Sequence, residues 1–304
     1  MGLFIAQTEG PLDQVSSYTM AVAGAEFNVS VGLARLGHAV TYLTRLGNDP
    51  MGKRITHVLN ENGIGSEFIT YSQEKTTGFM LKSKVSEGDP EIAYYRKNSA
   101  ASVISREDVE NLNFSGYTFL HLTGILPALS DSARDTTFYL LEKAKENGMT
   151  VCFDPNLRPQ LWPDQETMVT TLNSLAARAD YVLPGEGEGE ILCGTREPGE
   201  IASFYRGLGA KNVIVKLGGR GAYYENASES GLVKGFPVEK IVDTVGAGDG
   251  FAAGVISSLM EGRSLAEAVE RGNAIGAIQV MSVGDNEGLP NREQLAAFMD
   301  RKVL

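Results

Sequence analysis

Two hydrophobic rhythms alternate along the chain, one recurring every three to four residues and the other a short unbroken apolar run. "AEFNVSVGLARLG" places Phe27, Val31 and Leu33–Ala34 on one side and stops at Gly37, which predicts a helix with a glycine end signal. "AVTYLTRLG" then reads as a strand and "GKRITHVLNENG" as a helix ending at Gly63. "YTFLHLTG" predicts a strand, "SARDTTFYLLEKAKENG" a helix, and "MTVCFDPN", "YVLPG", "KNVIVKLG" and "GAYYE" further strands. Phe251, Val255, Ile256 and Leu259 follow at helical spacing, so a buried helix is expected to open at Asp249, with "LAEAVERGNAIGAIQVMSVG" helical after it. Strand and helix alternating in this way predict an α/β fold, a mostly parallel sheet with helices on both faces.

Residues 76–97 break the alternation. They read as consecutive strands around the polar turn "SEGDP", a hairpin that serves either as a lid over the active-site edge or as a plain surface excursion. No internal repeat, low-complexity tract or long linker appears, so 1–304 is expected to form one domain.

Composition narrows the partners. With 42% hydrophobic and 21% charged residues the chain can bury a normal core. A net charge of −11 and a pI near 4.9 disfavour nucleic acid and anionic membrane as partners. An anionic ligand must therefore be met by locally placed cations. Cys152 and Cys193 form no CxxC pair and read as buried thiols in a reducing compartment. The opening "MGLFIAQTEG" lacks the marks of a signal peptide, no apolar stretch has the length of a membrane span, and His38, His57 and His121 are scattered. A cytoplasmic location is expected.

The candidate chemistry gathers at strand ends, where open α/β sheets bind ligands. "DTVGAGD" sets Gly246, Ala247 and Gly248 ahead of Asp249 at a helix start; small residues there present backbone amides and the positive end of a dipole to an anion. Alone, that motif serves equally as a tight loop with a capping aspartate. "FDPNLRP" adds Asp154, Asn156 and Arg158, and "VLPGEGEGE" adds Glu186, Glu188 and Glu190. "VKLGGRGAY" adds Lys216 and a second glycine turn, Gly218-Gly219-Arg220-Gly221. Two glycine turns, an acidic cluster able to hold magnesium and a lone aspartate together suggest phosphoryl transfer.

"GAEFNVSVGLARLG" near the start with "DTVGAGDGFAAG" near the end resembles the paired signatures of the ribokinase-like, PfkB-type sugar kinases, and the resemblance covers nearly the whole chain. It implies a ribokinase-like fold, a mostly parallel sheet with a small β lid from about 8–24 and 76–99. It also implies ATP and Mg2+ as cofactors, with a monovalent cation as a further candidate. "YYRKNSAAS", "HLTGILPALS", "FDPNLRPQLW" and "GDNEGLP" are similar to the 2-keto-3-deoxygluconate kinases of that family, which phosphorylate the terminal hydroxyl of a sugar acid.

By that resemblance Gly24, Asn28, Tyr94, Arg96, Arg158, Asp249 and Asp285 touch the sugar acid. Asp249 is the base and the amides of Gly246, Ala247 and Gly248 stabilise the transferred phosphoryl. Asn156, Arg158, Lys216, Gly218, Gly219, Arg220, Gly221, Ala222, the Gly246–Gly248 loop and Asn273 meet ATP. A homo-oligomer through the lid hairpins is also implied. Arg96 and Arg158, as fixed guanidinium forks, suit a carboxylate in an acidic protein, Asp249 suits a proton acceptor, and the loop amides suit developing phosphoryl charge. Arg96 as a surface charge and Arg158 paired with Asp164 stay open.

Three departures qualify the match. The family's usual first sheet strand precedes "MGLF", so that strand is expected to be missing or shortened. A lid position often tyrosine is Met80, and the magnesium motif Asn-x-x-Glu appears as Gly185-x-x-Glu188, leaving the metal role to Glu188. Two other functions stay open: a kinase of fructose or of the galactonate analogue, and an inactive sugar-acid-binding relative. Retention of Asp249 with its loop argues for activity.

Overall fold

In the computed structural model, which describes residues 1–85, 90–282 and 284–300, strands and helices alternate as the hydrophobic pattern requires. The strands of the N-terminal third are β1 (Gly2–Glu9), β2 (Tyr18–Val22), β3 (Thr44–Gly47), β4 (Ile69–Ser72), β5 (Phe79–Lys84) and β6 (Ile92–Tyr95). Those that follow are β7 (Phe119–Thr123), β8 (Thr150–Asp154), β9 (Tyr181–Val182), β10 (Asn212–Lys216), β11 (Gly221–Glu225) and β12 (Ser230–Lys234). The helices are α1 (Ala25–Arg35), α2 (Pro50–Glu61), α3 (Asp131–Glu146), α4 (Gln165–Ala176) and α5 (Glu186–Cys193). After them come α6 (Pro198–Leu208), α7 (Ala247–Met260), α8 (Leu265–Gln279) and α9 (Arg292–Asp300).

Local chemistry sets the helix starts. Pro50 opens α2, and Asp49 accepts from the Gly52 amide at 2.8 Å. Ser130, Asp164 and Ser264 cap α3, α4 and α8 in the same way. Helix α7 begins at Ala247, two residues before the expected opening at Asp249, so Asp249 lies in its first turn.

The main sheet has the order β12-β11-β10-β9-β8-β7, parallel from β7 to β10 and antiparallel beyond. Successive side chains alternate faces, so Val151, Phe153, Val213 and Val215 pack with Leu140, Leu141, Met168, Leu172 and Tyr205. Cys152, Leu183 and Ile214 point the other way, against Phe251, Val255, Ile256 and Val269 of α7 and α8. Burial on both faces explains why these strands read as unbroken apolar runs. Each such buried side chain contributes roughly 1.5–3 kcal/mol.

Strand β1 joins a second, four-stranded sheet of order β2-β1-β5-β6, pairing antiparallel with β2 and parallel with β5. The small sheet therefore starts at Gly2, ahead of the expected boundary near residue 8, and no part of residues 1–24 enters the main sheet. Hairpin β5–β6 matches the strands expected at 76–97, while residues 86–89 of its turn lie outside the described residues. On the inner face of this sheet stand Leu3, Met80 and Tyr94, register partners, followed by Ile5, Lys82 and Ile92.

The strand expected over "AVTYLTRLG" is shorter than its pattern. Only Thr44–Gly47 pairs, with β4, and Thr41 makes an isolated bridge to Gly65. On its other side the stretch Ala39–Leu46 faces a cavity, whose opposite wall is Ser115–Leu122 with β7. An apolar run without a partner ladder on that side does not register as strand.

Candidate active site

That cavity, about 1080 Å³, continues from the β3–β7 cleft to the carboxyl ends of β7, β8 and β10, under the inner face of the small sheet. Gly24, Asn28, Tyr94, Arg96, Asn156, Arg158, Glu188, Lys216, Gly246, Gly248, Asp249 and Asp285 all line it. Residues from the beginning, middle and end of the chain thus meet at one place.

Asp249 occupies the centre. Its Oδ2 accepts from Asn28 Nδ2 at 2.7 Å, and Asn156 Nδ2 lies 3.5 Å from Oδ1. Asn28 is held in turn, because Asn286 Nδ2 donates to its Oδ1 at 3.0 Å. Asp249 is half-buried and lines the cavity. That burial pushes its carboxyl up to about 6, with Asp154 and Glu26 raising it further and the Asn28 hydrogen bond and Lys216 opposing. A carboxyl in that range, lining the cavity, can take a proton near neutral pH.

The turn before it is built for close approach. Gly246 has φ 79°, and a Cβ there would stand 2.1 Å from the Asp285 carbonyl oxygen, so only glycine fits. The Gly246–Gly248 amides lie at the start of α7, where a helix dipole favours negative charge.

Beside this loop Lys216 Nζ lies 2.6 Å from Asp154 Oδ2 and 4.0 Å from Glu188 Oε2. Burial alone would lower the Lys216 ammonium, but Asp154 and Glu188 outweigh it and hold it above the usual lysine value. Glu188 is pushed up by burial. Its two oxygens accept from Leu157 N at 2.8 Å and Gly185 N at 2.7 Å, so it caps α5 as well. Among the described residues no group of three or more His, Cys, Asp or Glu side chains is arranged to hold a metal. Magnesium needs only one or two carboxylates when phosphates and waters supply the rest, and Glu188 retains lone pairs for a metal-bound water. The donor set fits a hydrated magnesium and not an all-protein cage.

Across the cavity stands Arg96, 6% exposed, with Nε and Nη2 buried and without hydrogen-bond partners among the described residues. Its guanidinium carbon is 4.4 Å from the centre of the Tyr94 ring. Burial lowers its pKa, Tyr94 opposing and Arg158 adding to the effect. Arg96 is therefore no surface charge. Arg158 donates to the Leu157 carbonyl at 2.7 Å, whereas Asp164 is occupied as the cap of α4.

Other expected residues are placed differently. Asp285 lines the cavity, but its Oδ1 lies 3.2 Å from the Lys82 ammonium. Gly218, Gly219 and Arg220 form an exposed turn outside the cavity, with Arg220 paired to Glu186. Gly221, next to them, opens β11. Ala222 is fully buried in the core with Leu183 and Ile214, so its side chain cannot meet a nucleotide. Asn273 is also buried, donating to the Val233 and Lys234 carbonyls at 3.1 and 3.4 Å, which commits its amide to β12.

Glu26, Asn286 and Lys82 stand at or beside the site without having been expected there. Glu26 accepts a short hydrogen bond from Thr123 and lines the cavity. Its signal is a lone carboxylate inside an otherwise buried helix face; Asn286 stands beside Asp285, and nothing local distinguishes Lys82.

A model of the pfkB family of carbohydrate kinases matches residues 2–292. The chain is 48% identical over 300 residues to the 2-dehydro-3-deoxygluconokinase of Bacillus subtilis (strain 168), covering 98% of this chain and 93% of that one. The crystal structure of a PfkB protein from Polaromonas sp. JS666 is similar with a TM-score of 0.89 and 43% identity, covering 98% and 96% of the two chains. That of a putative ribokinase II in complex with ATP and Mg2+ from E. coli has a TM-score of 0.90 at 28% identity, again covering 98% and 96%.

Proposed function

Because the chain belongs to the pfkB family of carbohydrate kinases, we propose that it transfers the γ-phosphoryl group of ATP to the terminal hydroxyl of 2-keto-3-deoxygluconate, giving the 6-phosphate. The observation that carries the acid specificity is Arg96, a buried guanidinium lining the cavity that holds Asp249, whose Nε and Nη2 lack hydrogen-bond partners among the described residues. An unpaired buried cation is costly, and a substrate carboxylate would satisfy it. Tyr94 stacks on its face and Arg158 approaches from the main sheet, so the acid end of the substrate is held between the two sheets.

In this reading Asp249 takes the hydroxyl proton as the oxygen attacks phosphorus, and Asn28 orients the carboxylate. The Gly246, Ala247 and Gly248 amides stabilise charge on the phosphoryl oxygens. Lys216 and Arg158 meet the ATP phosphates, and Glu188 would hold magnesium. When bound, that magnesium neutralises phosphate charge. Asn156, with its strained φ of 40°, is presented to the same end of the cavity. The small sheet acts as the lid, and the protein is a cytoplasmic enzyme.

Its outer face carries Phe4 in edge contact with Phe79 at 5.7 Å and Phe79 stacked on Tyr95 at 4.9 Å, with Met20 43% and Tyr95 54% exposed. A second copy covering that face accounts for the exposed apolar surface. The test is ADP release over a panel of 2-keto-3-deoxygluconate, its galactonate epimer and fructose with MgATP, in potassium and in choline buffer. Preference for fructose would reassign the site to a neutral-sugar kinase, and no turnover on any sugar would leave a binding protein.

A further inference from the structure

Lys82 projects from the inner face of β5 and is 5% exposed. Its ammonium lies 2.8 Å from Asp243 Oδ2 and 3.2 Å from Asp285 Oδ1. These two carboxylates stand on either side of the anion turn. Asp243 leads into it, its Oδ1 accepting from the Val245 amide at 3.0 Å. Asp285 backs it, with its carbonyl against Gly246. We infer that Lys82 is a positioning residue, a tethered cation through which the lid strand fixes the Gly246–Gly248 amides for phosphoryl transfer.

A buried and a half-buried carboxylate sharing one cation repel each other, and the loop between them would open if they were left unpaired. One ammonium bridges both, and it comes from the lid and not from the loop. Lid position and amide geometry are thereby joined by a single side chain that touches neither substrate. Burial draws the ammonium's pKa down, but the charges of Asp285 and Asp243 more than offset this and keep it protonated. Asp285 therefore contributes through Lys82 as well as from its place in the cavity lining.

The inference rests on the kinase reading, and its test separates the two. Lys82→Met keeps the length of the stem and removes the charge. Measured against wild type on whichever sugar wild type accepts, kcat should fall about tenfold or more, with KM for sugar and ATP changed less than about threefold. The hole between two carboxylates should then admit a small cation. Ammonium or potassium should restore part of the lost kcat relative to choline, beyond any response that wild type shows to the same cations. Lys82→Arg should retain more activity than Lys82→Met.

Unchanged kcat in Lys82→Met would overturn the inference. So would equal loss in kcat and both KM values with no response to added cations, since that is the pattern of general structural damage. If Lys82→Met does not fold, Asp243→Asn reads the same clamp with Lys82 and Asp285 still paired, and wild-type kcat there would overturn it too. If no sugar is turned over at all, the kinase reading fails alone. Amide hydrogen exchange at Val245–Gly248 in Lys82→Met then decides the clamp: faster exchange supports it, unchanged exchange refutes it.

Discussion

Asn28 donates its side-chain amide to Asp249 at 2.7 Å across 221 residues of sequence, joining the first turns of α1 and α7. The contact holds one carboxylate oxygen, while the other lies 3.5 Å from Asn156 Nδ2. Asp249→Asn should keep the contact as acceptor and lose the base. We expect kcat to fall roughly a hundredfold or more with substrate affinity nearly intact. The same variant should be more heat-stable at neutral pH. Asp249 is raised from 3.8 to about 6 in the fold, so the native state holds a proton that the unfolded chain releases in that window. Stability from this group is therefore present below the window and lost as pH rises through it. A thermal melt at pH 7 showing the variant no more stable, or turnover near wild type, would remove Asp249 from this role.

The pH dependence of kcat/KM follows from the same shift. The acid limb should fall below about pH 6 as Asp249 takes up a proton. The Asn28 hydrogen bond favours the ionised form, so Asn28→Ala should move this limb to higher pH. A limb near pH 4 in wild type, or one that Asn28→Ala leaves in place, contradicts the assignment.

Lys216 and Asp154 form a buried pair, 19% and 2% exposed, whose net worth is less than the cost of breaking it. Lys216→Met should destabilise the fold by about 3–5 kcal/mol, and adding Asp154→Asn should recover part of that loss. Urea midpoints of the two variants measure both. A double variant less stable than the single one would show that Asp154 does not depend on Lys216.

Most of the fold and part of the site are legible in the sequence, and unevenly so. Phe153, Ile214 and Val255 reveal their elements because burial on both faces leaves an unbroken apolar signature. Gly246 and Asp249 are legible because an amide-presenting turn needs small residues in that order. Contacts over long separations are not. Nothing around Lys82 announces Asp243 and Asp285, and Asn273 looks equally suited to a nucleotide and to the β12 carbonyls it serves. The stretch 39–43 carries a strand-like pattern, but pattern records side-chain environment and not the ladder partner a strand also needs.

The apolar outer face of the small sheet predicts self-association. Phe4→Glu and Tyr95→Glu should each shift the protein toward monomer in sedimentation velocity runs, because a carboxylate at the centre of such a patch stays unpaired. A wild type that is monomeric at micromolar concentration would end this reading.

Arg96 separates an acid-specific kinase from a general one. Its Nε and Nη2 lack partners among the described residues, and Arg158 lines the same cavity from the opposite sheet. Charge-assisted hydrogen bonds of this kind contribute about 1.5–3 kcal/mol each. Arg96→Ala should therefore lower kcat/KM for 2-keto-3-deoxygluconate on the order of tenfold or more. Fructose, with no carboxylate, should lose much less, so the preference for acid over neutral sugar shrinks. Lysine at this position should rescue only in part, since a point charge cannot reproduce the bidentate fork or the stack on Tyr94. Arg96→Ala should cost little stability, because it removes a buried cation whose Nε and Nη2 lack hydrogen-bond partners among the described residues, which offsets loss of the Tyr94 contact. If both sugars lose equally, Arg96 is reading shape and not charge, and the substrate's acid group must be sought elsewhere in the cavity.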